Sequence, residues 1–195
     1  MKTLVTEFIS LDGVVQAPGG PDEDTDGGFS HGGWSMKYFD PIAMGGMYAE
    51  LAAKSDALLQ GRRTYETSAA AWPSRSGDPF TNWINSVQKY VVSDTLREED
   101  AIWNPTTIIR GNDFLRTVSV LRARPGGYIY VYGSATIVRS MLAADLVDEL
   151  LLTIEPLILG GGKTIFAQSG KVIPFTLEST VRASTGAQVC RYVRA

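Results

Sequence analysis

The chain has 195 residues, 44% of them apolar and 20% charged, a composition close to the globular average and far from disordered or fibrous sequences. One cysteine and one histidine cannot build a Cys/His zinc site, a CxxC redox pair or a disulfide framework. A formal charge of −3 offers no basic footprint for nucleic acid or anionic lipid, so the expected partner is a small molecule. No run approaches the ~20 apolar residues that span a bilayer. No secretory leader stands at the start, so the expectation is a cytoplasmic protein with one domain over residues 1–195.

Residues 4–11 (LVTEFISL) open with apolar and β-branched residues at near-alternating positions, the pattern of a strand with one face buried. Residues 12–35 then carry seven Gly and two Pro with the acidic cluster Asp22, Glu23, Asp24 and Asp26, a loop long enough to be read as a lid. Asp40-Pro41 is an N-cap followed by Pro at the first helical position, and Met44, Met47, Tyr48 and Leu51 recur at helical spacing. Residues 57–60 (ALLQ) predict a buried strand running directly into a second helix at Gly61-Arg62-Arg63-Thr64. A short helix containing Trp83, Ile84 and Val87 follows, then strands at 89–92 (KYVV) and 106–110 (TTIIR).

Asn112 is placed to cap a helix with Phe114, Leu115, Val118 and Leu121 as its apolar stripe, ended by Pro125-Gly126-Gly127. Residues 128–132 (YIYVY) are strongly β-forming, and Gly133-Ser134 turns them into a helix with Ile137, Val138, Met141 and Leu142 on one face. A strand at 147–154, a Gly-rich turn at 156–163 and a hairpin of 175–181 with 187–193 around Ser184-Thr185-Gly186 complete the chain. Strands alternating with helices require mainly parallel pairing. The predicted class is a three-layer α/β fold with helices on both faces of the sheet and an antiparallel pair at one edge.

Ligands of open α/β sheets bind at the carboxyl ends of strands, which singles out three places. Gly61-Arg62-Arg63-Thr64 puts backbone N–H groups, a hydroxyl and two guanidinium groups at a helix start, a setting for phosphate or an ordinary turn with exposed arginines. Ser93 and Thr95 offer hydroxyls to a sugar or form a common turn. Gly133-Ser134-Ala135-Thr136 allows close backbone approach before a helix.

Gly160-Gly161-Gly162-Lys163-Thr164 is no nucleotide phosphate loop, because GxxxxGK[ST] requires Gly where Leu157 stands, and GxGxxG is absent. His31 is assigned no role, Cys190 is read as a core residue, and Trp34 either covers an aromatic ligand or staples the loop.

Ser10-Leu11-Asp12-Gly13-Val14-Val15, Gly61 to Glu66, Lys89 to Ser93, Tyr132-Gly133-Ser134 and the run PLILGGGKTIF from Pro156, in this order, resemble the dihydrofolate reductase-like superfamily. They resemble more closely the reductase domain of the bifunctional riboflavin-biosynthesis protein RibD. The resemblance implies a mixed sheet of about eight strands, binding of NADPH or NADH, and hydride transfer to a small pterin- or pyrimidine-like substrate, including a phosphoribosylaminouracil reductase-type activity. It assigns Gly61, Arg62, Arg63 and Thr64 to the pyrophosphate and Ser93 to the adenosine ribose phosphate. Gly133, Ser134, Ala135 and Thr136 take the second phosphate crossing, and Val15 lies near the nicotinamide.

Asp12 is the catalytic candidate, with Ser10, Trp34 and Tyr132 facing substrate; no metal is implied. Folate is an unlikely substrate, since residues 41–49 contain no acid to bind a pterin. Asp94 after the strand-three serine opposes a 2′-phosphate unless Arg97 or Arg110 compensates. The alternative reading is a non-catalytic nucleotide-binding module on the same fold. A homodimer paired through the last hairpin is a further expectation, although Arg191 and Arg194 could blunt that edge.

Overall fold

The computed structural model describes residues 1–195. Eight strands form one mixed sheet: β1 (Lys2–Ser10), β2 (Ser55–Gly61), β3 (Gln88–Val92), β4 (Thr106–Ile109), β5 (Tyr128–Tyr132), β6 (Glu149–Glu155), β7 (Phe175–Arg182) and β8 (Gln188–Arg194), in the order β4-β3-β2-β5-β1-β6-β8-β7. Five helices accompany them: α1 (Gly45–Ala53), α2 (Arg62–Ala71), α3 (Pro79–Ser86), α4 (Phe114–Arg122) and α5 (Ala135–Ala143). The α/β class and the closing antiparallel strands agree with the sequence. No helix is long and apolar enough to cross a membrane. Two compact units partition the chain, Met1–Val5 with Met47–Asp148 and Thr6–Gly46 with Glu149–Ala195.

In the first unit β4, β3, β2 and β5 pair in parallel, so each needs a crossover, and α2 leaves β2 without an intervening residue. β2 and β5 are buried on both faces while β3 alternates buried and half-buried positions, and Leu58, Leu59, Val91, Ile129 and Val131 are fully enclosed with Val118, Val138 and Met141 from the helices. Asp78 caps α3 by accepting the Thr81 N–H at 2.9 Å, with Pro79 preset for the first turn. Lys89 is fully buried. Its Nζ donates to the carbonyls of Asn85 (3.2 Å) and Val87 (3.0 Å) at the end of α3 and lies 4.5 Å from the centre of the Trp103 ring.

α4 departs from the sequence reading: a 3₁₀ turn, Gly111–Asp113, precedes it, and the helix starts at Phe114 with no side-chain cap. The turn is held from outside, because Asp94 Oδ1 accepts the Gly111 N–H at 2.8 Å. That long-range acceptor replaces the local cap expected of Asn112.

In the second unit β6 pairs antiparallel with β8, and β8 with β7. The predicted turn closes the β7–β8 hairpin, with the Ala183 N–H donating to the Ala187 carbonyl at 2.9 Å. Arg191 ties three strands together, since its guanidinium contacts buried Glu149 on β6 (2.7 Å) and Glu178 on β7 (2.9 Å). Asp40 accepts the N–H groups of Ile42 (2.9 Å) and Ala43 (3.1 Å), the N-cap read from the sequence; the regular helix α1 begins later, at Gly45. Its other oxygen takes the Ser184 N–H (2.8 Å) and hydroxyl (2.7 Å), binding the hairpin turn to this cap. These donors hold the Asp40 carboxyl far below the usual carboxylate range.

Candidate functional site

The first unit concentrates its candidates where β2 and β5 end side by side. Gly61 and Gly133 face each other there: the Gly61 N–H donates to the Gly133 carbonyl at 3.3 Å. A β-carbon on Gly61 would lie 2.6 Å from Ser134 Oγ, and one on Gly133, at φ +62°, would lie 3.1 Å from Thr64 Oγ1. Only glycines permit this approach. The starts of α2 and α5 come together as a consequence, and neither Gly61 nor Ser134 gives its helix a side-chain cap. Two sets of orphan backbone donors, each on a helix of nine or more residues, thus flank one junction.

Arg62 is half-buried and Arg63 exposed; the Arg62 guanidinium reaches Glu66 Oε1 at 2.9 Å and Oε2 at 3.0 Å along the helix surface. Such an exposed pair is weak and can be exchanged for a phosphate. Ala135, the first residue of α5, is buried and Thr136 next to it is exposed, while Tyr132 is half-buried at the end of β5. Ser93 is only 7% exposed at the end of β3, and its oxygen accepts the N–H groups of Thr95 (3.1 Å) and Leu96 (2.8 Å). This arrangement suits a dinucleotide pyrophosphate: two dipole ends drawn together by glycine, with cationic side chains at the rim.

In the second unit Ser10, Asp12 and the Gly-rich turn form a clamp. The Ser10 hydroxyl donates to Asp12 Oδ1 at 2.6 Å, Leu159 N–H to Oδ1 at 3.1 Å and Gly160 N–H to Oδ2 at 2.8 Å. The Ser10 hydroxyl oxygen also accepts the Val14 N–H at 2.9 Å. These bonds keep the exposed Asp12 carboxyl below its ordinary range, so at neutral pH it is an acceptor already committed to the protein. Val15 is buried, its N–H donating to the Lys163 carbonyl at 2.9 Å.

The loop 12–35 is stitched down rather than free to swing as a lid. Trp34 is buried with its indole N–H on the Gln16 carbonyl at 2.8 Å, which is the staple of its two readings. Gln16, which the sequence did not single out, is the hub: its amide donates to the carbonyls of Asp24 and Asp26 (3.0 Å each), and its Oε1 accepts the Lys163 N–H at 3.0 Å. The Lys163 ammonium meets Asp24 at 2.5 Å and Asp26 at 2.8 Å. A cavity of about 520 Å³ opens beside this network, with Gln16, Phe29, His31, Gly161 and Lys163 among its walls.

Two buried carboxyls in the same unit also escaped the sequence reading. Glu7 on β1 has an oxygen without a partner, and burial, reinforced by nearby Glu23, pushes its carboxyl up to about 8. Glu155 on β6 accepts the Ser35 hydroxyl at 2.8 Å through one oxygen, while the other is unpartnered; burial raises it to about 7 against the pull of that hydroxyl and of Lys37. The available signal was an acid next to apolar residues within or at the end of a strand, Glu7 before Phe8-Ile9 and Glu155 after Ile154.

The strand order and the helices around it define an α/β protein of dihydrofolate reductase-like fold. The chain belongs to the RibD C-terminal domain family, whose model matches residues 2–189. The protein YyaP of Bacillus subtilis (strain 168) is 30% identical over 190 residues, covering 95% of this chain and 90% of its own. Among solved structures, a putative riboflavin biosynthesis protein from Shewanella sp. PV-4 superposes with a TM-score of 0.76 at 21% identity, over 100% of this chain and 99% of that one. Dihydrofolate reductase from Enterococcus faecalis, complexed with NADP(H), gives a TM-score of 0.60 at 12% identity over 99% and 96%. These two structures share the fold.

Proposed function

We propose that the protein is an NAD(P)H-dependent reductase that reduces a C=N or C=O bond of a small pterin- or pyrimidine-like heterocycle. The observation that carries the reading is the glycine-lined junction of β2 and β5, where two uncapped helix starts converge on one place. Membership of the RibD C-terminal domain family supports a reductase-type chemistry. Gly61, Arg62, Arg63 and Thr64 would hold one phosphate of the dinucleotide and Gly133, Ser134, Ala135 and Thr136 the other, with Ser93 toward the adenosine ribose. When bound, the reduced nicotinamide supplies the hydride.

The chain's part is to bind, orient and exclude water. The family resemblance assigns Val15 to the nicotinamide and Ser10 and Tyr132 to substrate, while Trp34, buried with its indole N–H on the Gln16 carbonyl, serves the loop instead. Asp12 is proposed to act by positioning residues 157–163 through the two backbone N–H groups it accepts, those of Leu159 and Gly160. The proton that completes the reduction then comes from solvent. The commitment of Asp12 to the protein equally suits the second reading, a nucleotide-binding module without turnover.

Calorimetric titration of the purified chain with NADPH and NADH, followed by monitoring dihydronicotinamide absorbance with a pterin and pyrimidine panel, tests both. Binding with substrate-dependent oxidation supports the reductase, and binding without turnover on the whole panel supports the module. Absence of binding by both nucleotides at millimolar concentration refutes the two together.

A further inference from the structure

We propose that the first unit selects NADH over NADPH, because the end of β3 offers a ribose diol one donor and one acceptor but confronts a 2′-phosphate with the Asp94 carboxylate and with arginines that already sit among carboxylates. The inference rests on the dinucleotide reading above. With the pyrophosphate at the ends of β2 and β5, β3 is the other neighbour of β2, one strand spacing of about 4.8 Å away. Residues just beyond β3 are therefore within reach of a sugar attached to that pyrophosphate.

Ser93 and Asp94 occupy this place. The Ser93 oxygen accepts two backbone N–H groups, but its own hydroxyl proton goes to no acceptor in the protein. Asp94 Oδ1 is engaged by the Gly111 N–H at 2.8 Å, whereas Oδ2 has no hydrogen-bond partner in the protein. The carboxylate fits only because residue 111 is glycine: a β-carbon there would lie 2.8 Å from Oδ2. A sugar hydroxyl can accept from Ser93 and donate to Asp94 Oδ2 at once. A phosphate ester in its place is an acceptor only, facing a carboxylate.

The two arginines that could offset this charge each have partners. Arg110 Nη1 donates to the carbonyls of Ser93 and Leu96, 3.0 Å each, and its Nη2 lies 3.9 Å from Glu98. Arg97 grips both oxygens of Asp100, at 2.7 and 3.1 Å, and meets Glu99 at 3.1 Å. Turning Arg110 toward a phosphate would strip two backbone carbonyls of their donor, and turning Arg97 from its surface pairs would leave the charges of Glu99 and Asp100 uncompensated beside Asp94. The segment 94–100 thus presents excess negative charge where NADPH differs from NADH.

Calorimetric dissociation constants for NADH and NADPH on the full chain, at one fixed ionic strength, test this directly. NADH is expected to bind about tenfold tighter or more. The variant Asp94→Asn, which keeps an oxygen for the Gly111 N–H and loses the charge, is expected to bring the two constants within about threefold. Equal or tighter binding of NADPH by the unaltered chain overturns the inference and leaves the reductase reading standing; so does a ratio unmoved in a folded Asp94→Asn protein. The comparison on the unaltered chain decides the matter even if the variant does not fold. Failure of both nucleotides to bind overturns the dinucleotide reading itself, a result distinct from either ratio.

Discussion

Gly61 and Ser134 lie so close that a β-carbon on residue 61 would come within 2.6 Å of the serine Oγ. The contact joins the end of β2 to the start of α5, and with it the two helix starts proposed to take phosphate. Gly61→Ala must push Ser134 away or displace β2. The expected result is a drop in melting temperature together with at least about a tenfold loss of NADH affinity, since one well-placed charged hydrogen bond is worth roughly 1.5 to 3 kcal/mol. Thermal unfolding and calorimetry on the same preparation measure the two effects.

Arg62 separates binding from stability. Its pairing with Glu66 is a surface contact between neighbours on one helix, worth about 0.3–0.5 kcal/mol at most to the fold. Arg62→Ala is therefore expected to leave urea unfolding nearly unchanged while weakening dinucleotide affinity about tenfold or more. Arg63→Ala should weaken affinity in the same direction. Unchanged affinity in both variants would remove these side chains from the phosphate assignment.

Asp12 links two places far apart in sequence, accepting from Leu159 and Gly160. Asp12→Ala should speed hydrogen exchange at those two amides by about tenfold or more, one ordinary hydrogen bond being worth about 1 kcal/mol and one to a charged group more. Because its folded carboxyl titrates below the ordinary value, the contribution is present above the unfolded value near 3.8 and fades as pH falls through the lower folded one. Exchange rates at Leu159 and Gly160 that do not respond to the substitution would show the clamp to be dispensable.

Glu7 gives the opposite pH response. Folded, its carboxyl keeps the proton up to about 8; unfolded, it releases it near 4.5. The folded state then binds more protons between these values, so its stabilising contribution is full below about 4.5 and lost as pH rises through about 8. At about 1.4 kcal/mol per unit of pH, several kcal/mol are at stake across that window. Glu7→Gln should flatten the decline in chemical unfolding measured from pH 5 to 8; an identical slope in the variant would contradict the burial argument.

Much of the fold is written in local pattern. The run YIYVY, the strand-to-helix joints at Gly61 and Gly133, the Asp40 cap and the turn at Ser184-Thr185-Gly186 all announce themselves, because side-chain periodicity and turn chemistry act over a few residues. The start of α4 departs from local pattern for the same reason: its stabilising acceptor, Asp94, is distant in sequence and local pattern cannot show it.

The sequence by itself determined the α/β class, the strand and helix faces, and which residue types stand at the strand ends. Tertiary structure decided which of those ends are neighbours and which polar groups have been used up. β2 pairing with β5 brings Gly61 to Gly133, the backbone carbonyls of Ser93 and Leu96 occupy Arg110, and enclosure of β1 leaves Glu7 protonated near neutrality. The physical reason is range: backbone preference is set by adjacent residues, whereas hydrogen-bond satisfaction and loss of solvent are set by whatever the folded chain brings alongside, at any sequence distance.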